Sequence, residues 1–351
     1  MRYMHWLPRL YRLCAAMLAL AAALPVASHA STQELAERAD VRAFIHEMVV
    51  KHGFSEAALT HLFDQATLRP DIIRAISSPA EAKPWYEYRP IFLTPSRIAA
   101  GVRFWDQHAD DLARAEHVYG VPAKIVVAII GVETRFGTYK GKYRVLDALT
   151  TLAFDYPKRS TFFRQELEQF LLLTKEEGVD PLSLNGSYAG AMGGPQFISS
   201  SYRHYAVDFD HDGKRDLWNS YADMIGSVAN YFHEHGWQAG EPVARRIEVA
   251  GNQYKALDNG DLKPQFTVAQ VRRYGVSGAT DLPAKQPVAF ITLEARNGAE
   301  HWLGLHNFYV ITRYNHSPLY AMAVYQLANA IEAERGRRLA SKAEHEAAAH
   351  N

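Results

Sequence analysis

Residues 128–137 read Ala128-Ile129-Ile130-Gly131-Val132-Glu133-Thr134-Arg135-Phe136-Gly137, one carboxylate set in an apolar helix end. Pro122 suits a first helical turn, where its missing N–H has no partner to lose. Gly137 can take the left-handed conformation that closes a last turn, so the pattern predicts a helix over 122–136. Ile125, Val126, Ile129 and Val132 recur at helical spacing and form a buried face, with Glu133 at its edge. Burial and the negative helix end both disfavour the ionised carboxylate. Together they predict a Glu133 pKa raised toward neutrality, as a general acid needs. The competing reading is a solvated glutamate paired with Arg135 or Arg144.

Outward from this stretch, 351 residues with 48% hydrophobic content leave room for two or three packed domains and exclude a disordered chain. Lysine plus arginine equals aspartate plus glutamate, 38 against 38, so no long-range field holds nucleic acid or an anionic membrane surface. Residues 1–30 read as an export signal. Arg2, Arg9 and Arg12 precede the apolar run Leu13 to Leu24, and Ala-Ser-His-Ala at 27–30 supplies small residues for cleavage. That run is too short to span a bilayer. The single cysteine, Cys14, raises lipoprotein anchoring as the alternative, but Arg12-Leu13 precede it in place of small residues. Cleavage after Ala30 leaves a mature chain without cysteine, suited to the periplasm and independent of disulfides.

Residues 31–116 carry helical stripes such as Val41, Phe44, Ile45 and Met48, and form an N-terminal helical domain. Pro70, Pro79, Pro84, Pro90 and Pro95 punctuate it. The aromatic cluster Trp85-Tyr86-Glu87-Tyr88 reads as a loop able either to stack on sugar or to pack. A catalytic core follows over 117–240. Its helix from Ser160 to Glu177 turns Phe162, Phe163, Leu167, Phe170 and Leu171 to one side. The glycine-rich run Asn185-Gly-Ser-Tyr-Ala-Gly-Ala-Met-Gly-Gly-Pro-Gln196 reads as a loop letting backbone approach a ligand, with Ser187, Tyr188 and Gln196 offering groups for hydroxyl and acetamido functions. Asp208-Phe-Asp210-His-Asp212-Gly213-Lys214-Arg215-Asp216 follows the calcium-loop pattern through nine positions, with the Lys214 carbonyl at position seven. Asn219 stands where a bidentate carboxylate belongs, which makes Asp223 the expected closing ligand. The helix from Ser220 to His235 turns Ile225, Val228 and Phe232 inward and Tyr231 elsewhere. Short alternating strands then mark a small β-rich domain over 241–300. Helical texture returns over 301–335, and a charged, alanine-rich tail at 336–351 is expected to be disordered.

Four of these motifs stand in one order: Gly131 to Gly137; Ser187 to Gly193 with Gln196-Phe197; the aspartate loop followed by Ile225 to Phe232; and Arg313-Tyr314-Asn315. In that order the chain resembles the membrane-bound lytic murein transglycosylase B family, glycoside hydrolase family 103. The resemblance implies a mainly α, α+β fold, with a goose-lysozyme-like catalytic core, an outer helical domain and a small β-rich insertion. It implies Glu133 as the single catalytic carboxylate and Ser187, Gln196, Tyr231, Tyr314 and Asn315 around the saccharide. Calcium in the aspartate loop is expected as a structural ion, with no organic cofactor. Peptidoglycan glycan strands are the implied partner of a monomer, alongside cell-wall synthases or divisome proteins. Two readings compete with it. One is a hydrolytic muramidase that adds Asp147 or Asp155 as a water-activating base, and the other is a catalytically silent glycan-binding protein. The chain departs from the family pattern at Gly194-Pro195, Asn219 and Arg12-Leu13.

Overall fold

The computed structural model describes residues 34–77 and 83–349; the predicted export signal with Cys14, and Pro79, lie outside them. The chain opens with α1 (Ala39–His52), α2 (Glu56–Asp64), α3 (Pro70–Ile76), α4 (Trp85–Phe92), α5 (Pro95–Gln107) and α6 (Ala109–Tyr119). The central helix α7 (Ala123–Thr134) leads to β1 (Tyr143–Arg144), α8 (Val145–Asp155), α9 (Ser160–Glu177), β2 (Asn185–Gly186), α10 (Ser199–Tyr205) and α11 (Tyr221–Glu234). A β-rich stretch holds β3 (Ala244–Val249), β4 (Phe266–Thr267), α12 (Val268–Arg272), β5 (Val276–Ser277), β6 (Pro287–Ala295) and β7 (Gly298–Gly304). The chain returns through α13 (His306–Tyr314) and α14 (Pro318–Ala349).

Helix α7 is the axis of the packing. From Ile125 to Gly131 every residue is buried, because the sequence there is apolar all round and α5, α6, α11 and α14 cover it. The antiparallel five-stranded sheet has the order β4-β6-β7-β3-β5. Its strand β6 is buried on both faces. Val288 and Phe290 join a small core with Val268, Val271 and Leu303, while Ile291 and Leu293, pointing the other way, join the main helical core. One strand thus ties the sheet to the helical body.

Two expectations change here. Trp85 to Tyr88 lies in helix α4, and Trp85 and Tyr88 are 1% and 2% exposed, so these rings are core and cannot stack on a sugar. The tail expected to be disordered is the continuation of α14 through Ala349. Alanine and charged residues are strong helix formers, and the pairs Glu334–Arg338 (2.8 Å) and Lys342–Glu346 (3.8 Å) fall at the i,i+4 spacing that supports a helix.

A buried carboxylate joins α9 to α10. Glu166 is 4% exposed and accepts the Ser200 N–H at 2.9 Å and the Ser200 hydroxyl at 2.7 Å, satisfying the first turn of α10. Burial pushes its carboxyl above the ordinary glutamate value of 4.5 despite those donors. A carboxyl raised in the fold gives stability that is present below the unfolded value and is lost as pH rises through the folded one. Glu166→Gln removes that loss, so the melting temperature of the variant gains on the parent as pH rises above the ordinary glutamate value of 4.5. Parallel melting curves across that range would contradict the assignment.

Candidate active site

Thr134 is the last residue of α7, and the chain then takes three successive left-handed conformations, with φ of 50° at Arg135, 61° at Phe136 and 81° at Gly137. The helix therefore starts one residue after Pro122, which is its N-cap, and stops two residues before the predicted end. Left-handed Arg135 and Phe136 cost about 1–2 kcal/mol each. Packing and hydrogen bonds hold them there. The Phe136 ring folds back over Gly131, where an added Cβ would meet the ring at 2.7 Å, and its far side meets Phe104 with centroids 5.6 Å apart. The Thr134 hydroxyl donates to the Gly194 carbonyl (2.9 Å) and accepts the Gly137 N–H (3.0 Å). This turn fixes Glu133, half-buried, at the rim of the core.

From the opposite side Tyr320, at the start of α14, donates its hydroxyl to Glu133 Oε1. Tyr320 is 3% exposed and stacks on Tyr314, with planes 10° apart and centroids 6.4 Å apart. Burial, and next the neighbouring Glu133 carboxylate, push both phenols well above the ordinary tyrosine value, so both remain protonated donors. Tyr314 donates to the Pro195 carbonyl at 2.6 Å and so holds the turn that presents Gln196. Gln196 itself has φ of 53°. Its two amide hydrogens go to the carbonyls of Lys140 (3.2 Å) and Gly193 (2.9 Å), which leaves its Oε1 as the group it can offer.

The other predicted contacts divide. Ser187 is half-buried and its Oγ accepts the N–H groups of Ala189 (3.2 Å) and Ala191 (3.0 Å), closing the glycine-rich loop. Tyr188 beside it is exposed, and Asn315 is half-buried at the C-terminal cap of α13. Tyr231 is displaced from its expected role. Its ring is 7% exposed against Tyr314, with centroids 4.8 Å apart, and its hydroxyl is spent on the Arg313 carbonyl at 2.6 Å, so it backs the site. The glycines of the loop also serve packing more than ligand approach. A Cβ at Gly193, left-handed at φ 68°, would stand 2.4 Å from the Leu217 carbonyl oxygen, and one at Gly194 would strike the Met224 sulfur.

The aspartate loop has the shape its sequence implies. Carboxylate oxygens of Asp208, Asp210 and Asp212 lie within 4.8 Å of one another, and Asp208 accepts the N–H groups of Asp212 and Gly213. Three carboxylates so close repel unless a cation sits among them, and oxygen-only donors suit calcium. Asp223, the expected closing ligand, also braces the loop from inside. It is fully buried and its two oxygens accept the N–H groups of Phe209 (2.7 Å), Asp210 (3.4 Å) and Asp216 (2.8 Å). Asp216 likewise spends its oxygens on Trp218 and Asn219. The chain leaving the loop reaches the catalytic end. Gly194 donates to the Leu217 carbonyl at 2.8 Å, and Lys140, whose carbonyl holds Gln196, donates its ammonium to the Trp218 carbonyl.

Neither aspartate proposed as a hydrolytic base is free for that task. Asp147 accepts Arg144 and the Thr67 N–H, and Asp155 pairs with Arg38 at 2.8 Å. Sequence reading missed Tyr320, Thr134 and Lys140, whose roles depend on partners 187, 60 and 78 residues away.

A hydrogen bond to a charged group is worth about 1.5–3 kcal/mol and each 1.36 kcal/mol is about tenfold in rate. Tyr320→Phe is therefore expected to lower kcat about ten- to a hundredfold, with KM little changed, in steady-state assays on the natural substrate. An unaltered kcat would remove Tyr320 from the machinery. Gly131→Ala must displace Phe136 and is expected to cost about 1–3 kcal/mol in urea unfolding, a cost typical of overpacking. An unchanged midpoint would contradict the packing described for that turn.

The chain and its fold have close parallels. A family model described as the Transglycosylase SLT domain matches residues 36–329. Membrane-bound lytic murein transglycosylase B of Escherichia coli K12 is 46% identical over 308 residues, which span 85% of this chain and 84% of that protein. The crystal structure of soluble lytic transglycosylase SltB1 from Pseudomonas aeruginosa superposes with a TM-score of 0.81 at 52% identity, over 85% of this chain and 99% of that one. An Escherichia coli lytic transglycosylase determined in complex with calcium superposes at 0.80 with 45% identity, over 86% and 95% of the two chains. The same enzyme in complex with bulgecin A gives the same values. With a match over most of its length and the same fold around Glu133, this chain belongs to the Transglycosylase SLT domain family.

Proposed function

We infer that this protein is a lytic transglycosylase that cleaves the bond between N-acetylmuramic acid and N-acetylglucosamine in peptidoglycan without adding water. The observation that carries the reading is Glu133 at the core rim under the Tyr320 hydroxyl, with Asp147 and Asp155 each committed to an arginine. An inverting hydrolase needs a second carboxylate to activate water, and a single acid/base needs none when the nucleophile comes from the substrate. Glu133 gives its proton to the glycosidic oxygen as the C1–O bond breaks. The carboxylate then takes the proton of the muramoyl C6 hydroxyl while that oxygen bonds to C1, and a 1,6-anhydromuramic end results. Tyr320 orients the carboxyl between the two steps.

In this reading Gln196 Oε1, Ser187, Tyr188 and Asn315 contact the sugar, and Tyr314 positions Gln196 through Pro195. Residues 117–240 with 301–335 carry the chemistry, 31–116 buttress it, and 241–300 form most of the β-rich part, packed on the helical core through β6. In the same reading residues 1–30 act as an export signal that delivers the enzyme to the periplasm, and the enzyme acts there as a monomer. Calcium fits the loop through Asp208, Asp210, Asp212 and the Lys214 carbonyl, where it would neutralise three carboxylates.

Incubating the mature protein with cell-wall sacculi and analysing the released muropeptides by mass spectrometry is expected to give anhydro ends, and Glu133→Gln is expected to give none. Reducing ends would contradict the reading. Calcium should raise the melting temperature at about millimolar concentration, since a ligand specific to the folded state adds about 2.7 kcal/mol at a hundredfold excess over its Kd. Asp210→Ala should abolish that shift. Equal midpoints with calcium, magnesium and chelator would exclude the site.

A further inference from the structure

Beside the aspartate loop lies a cavity of about 540 Å³, within the size range of small-ligand sites, bounded by the end of α9, the turn at 178–185 and residues 214–219. We propose that this cavity is an accessory glycan subsite that takes an N-acetylated sugar unit of the same strand that Glu133 cleaves. The inference rests on the peptidoglycan reading above and adds to it a binding site whose occupancy is coupled to calcium.

Trp218 is the platform. Its indole N–H donates to the Asn185 carbonyl at 3.1 Å and its ring lies against Tyr202, with centroids 5.6 Å apart, so the half-buried ring is held in one orientation. A fixed aromatic face matches the apolar C–H face of a pyranose and costs little entropy on binding. The polar groups around it suit a sugar carrying an acetamido group. Asn219 spends one amide hydrogen on Asp216 and keeps its carbonyl and second hydrogen. The Arg215 guanidinium is neutralised by Glu177, whereas the Lys214 ammonium makes no ion pair among the described residues. A ring, an amide and the Lys214 ammonium side by side, in a lining shared with Asp216, fit an N-acetylated sugar unit of the strand.

Continuity with the catalytic groove identifies the occupant. Asn185, which anchors Trp218, forms strand β2 with Gly186 and runs directly into Ser187. Lys140 links the Trp218 carbonyl to the Gln196 side chain from the other side. Five lining residues, Lys214, Arg215, Asp216, Trp218 and Asn219, belong to the aspartate loop, so an ion that orders the loop also orders the cavity. Linkage is reciprocal, so calcium and the sugar strengthen each other's binding by the same factor.

The test uses the full mature chain carrying Glu133→Gln, so that glycan is bound and not cut. Isothermal titration compares a disaccharide of N-acetylglucosamine and N-acetylmuramic acid with longer uncrosslinked strands of the same repeat, with calcium and with chelator. Trp218→Ala is expected to weaken the long strands about tenfold or more and leave the disaccharide unchanged. Val179→Arg is a second variant that fills the cavity from an exposed position, so it does not risk the fold, and the same selective loss is expected. Calcium should tighten the long strands only. Equal affinities for long strands in Val179→Arg and its parent, or no response to calcium, would overturn the subsite and leave the catalytic reading standing. Failure of Glu133→Gln to bind either glycan would instead overturn the catalytic reading.

Discussion

The hydrogen bond from Tyr320 to Glu133 joins two elements 187 residues apart, and the rest of the molecule is arranged so that both ends arrive in register. Helix α7 is buried all round from Ile125 to Gly131, so close packing in the core holds its position. Its last turn is then bent into a left-handed sequence by Phe136 over Gly131 and by Thr134 tied to Gly194. Helix α14 brings Tyr320, stacked on Tyr314, down onto the same spot. A misplacement of either helix would open the contact, and proximity of reacting groups is worth several kcal/mol of barrier.

Polar energetics in this fold concentrate where water is excluded. Most ion pairs, such as Glu334–Arg338 and Arg245–Asp281, are on the surface, where such pairs typically contribute about 0–1 kcal/mol. Buried Glu166, Asp223 and Thr134 instead satisfy backbone groups of turns that have no ladder of their own. Those turns are the ones that present Gln196 and shape the aspartate loop, so the costly buried carboxylates support binding residues. Asp223 is the strongest case, because each N–H it accepts sets the path of the loop that its neighbours offer to a cation.

Local chemistry was legible from residues alone. The apolar run of α7, the carboxylate at its edge, the aspartate spacing and the alternation in β6 are short-range patterns with one physical solution each. Long-range pairing was not legible. Nothing near Tyr320 separates it from other tyrosines, and Lys140 has no local feature that points to Trp218. The bracing role of Asp223 was not legible, because spacing places it near the loop but does not reveal the backbone amides its carboxylate accepts. Gly137 looked like the helix stop because glycine is the usual left-handed residue. Arg135 and Phe136 adopt that conformation here because tertiary packing on Gly131 and Phe104 outweighs their local cost.

The central claim is that one carboxylate suffices because the substrate supplies the nucleophile. Digesting sacculi in oxygen-18 water with the purified mature protein tests this directly, since only hydrolysis moves a solvent oxygen onto the new sugar end. The account predicts products free of the heavy isotope at that end. Its incorporation at every cleaved bond would show that water attacks, and that a second group activating it has been overlooked around Glu133.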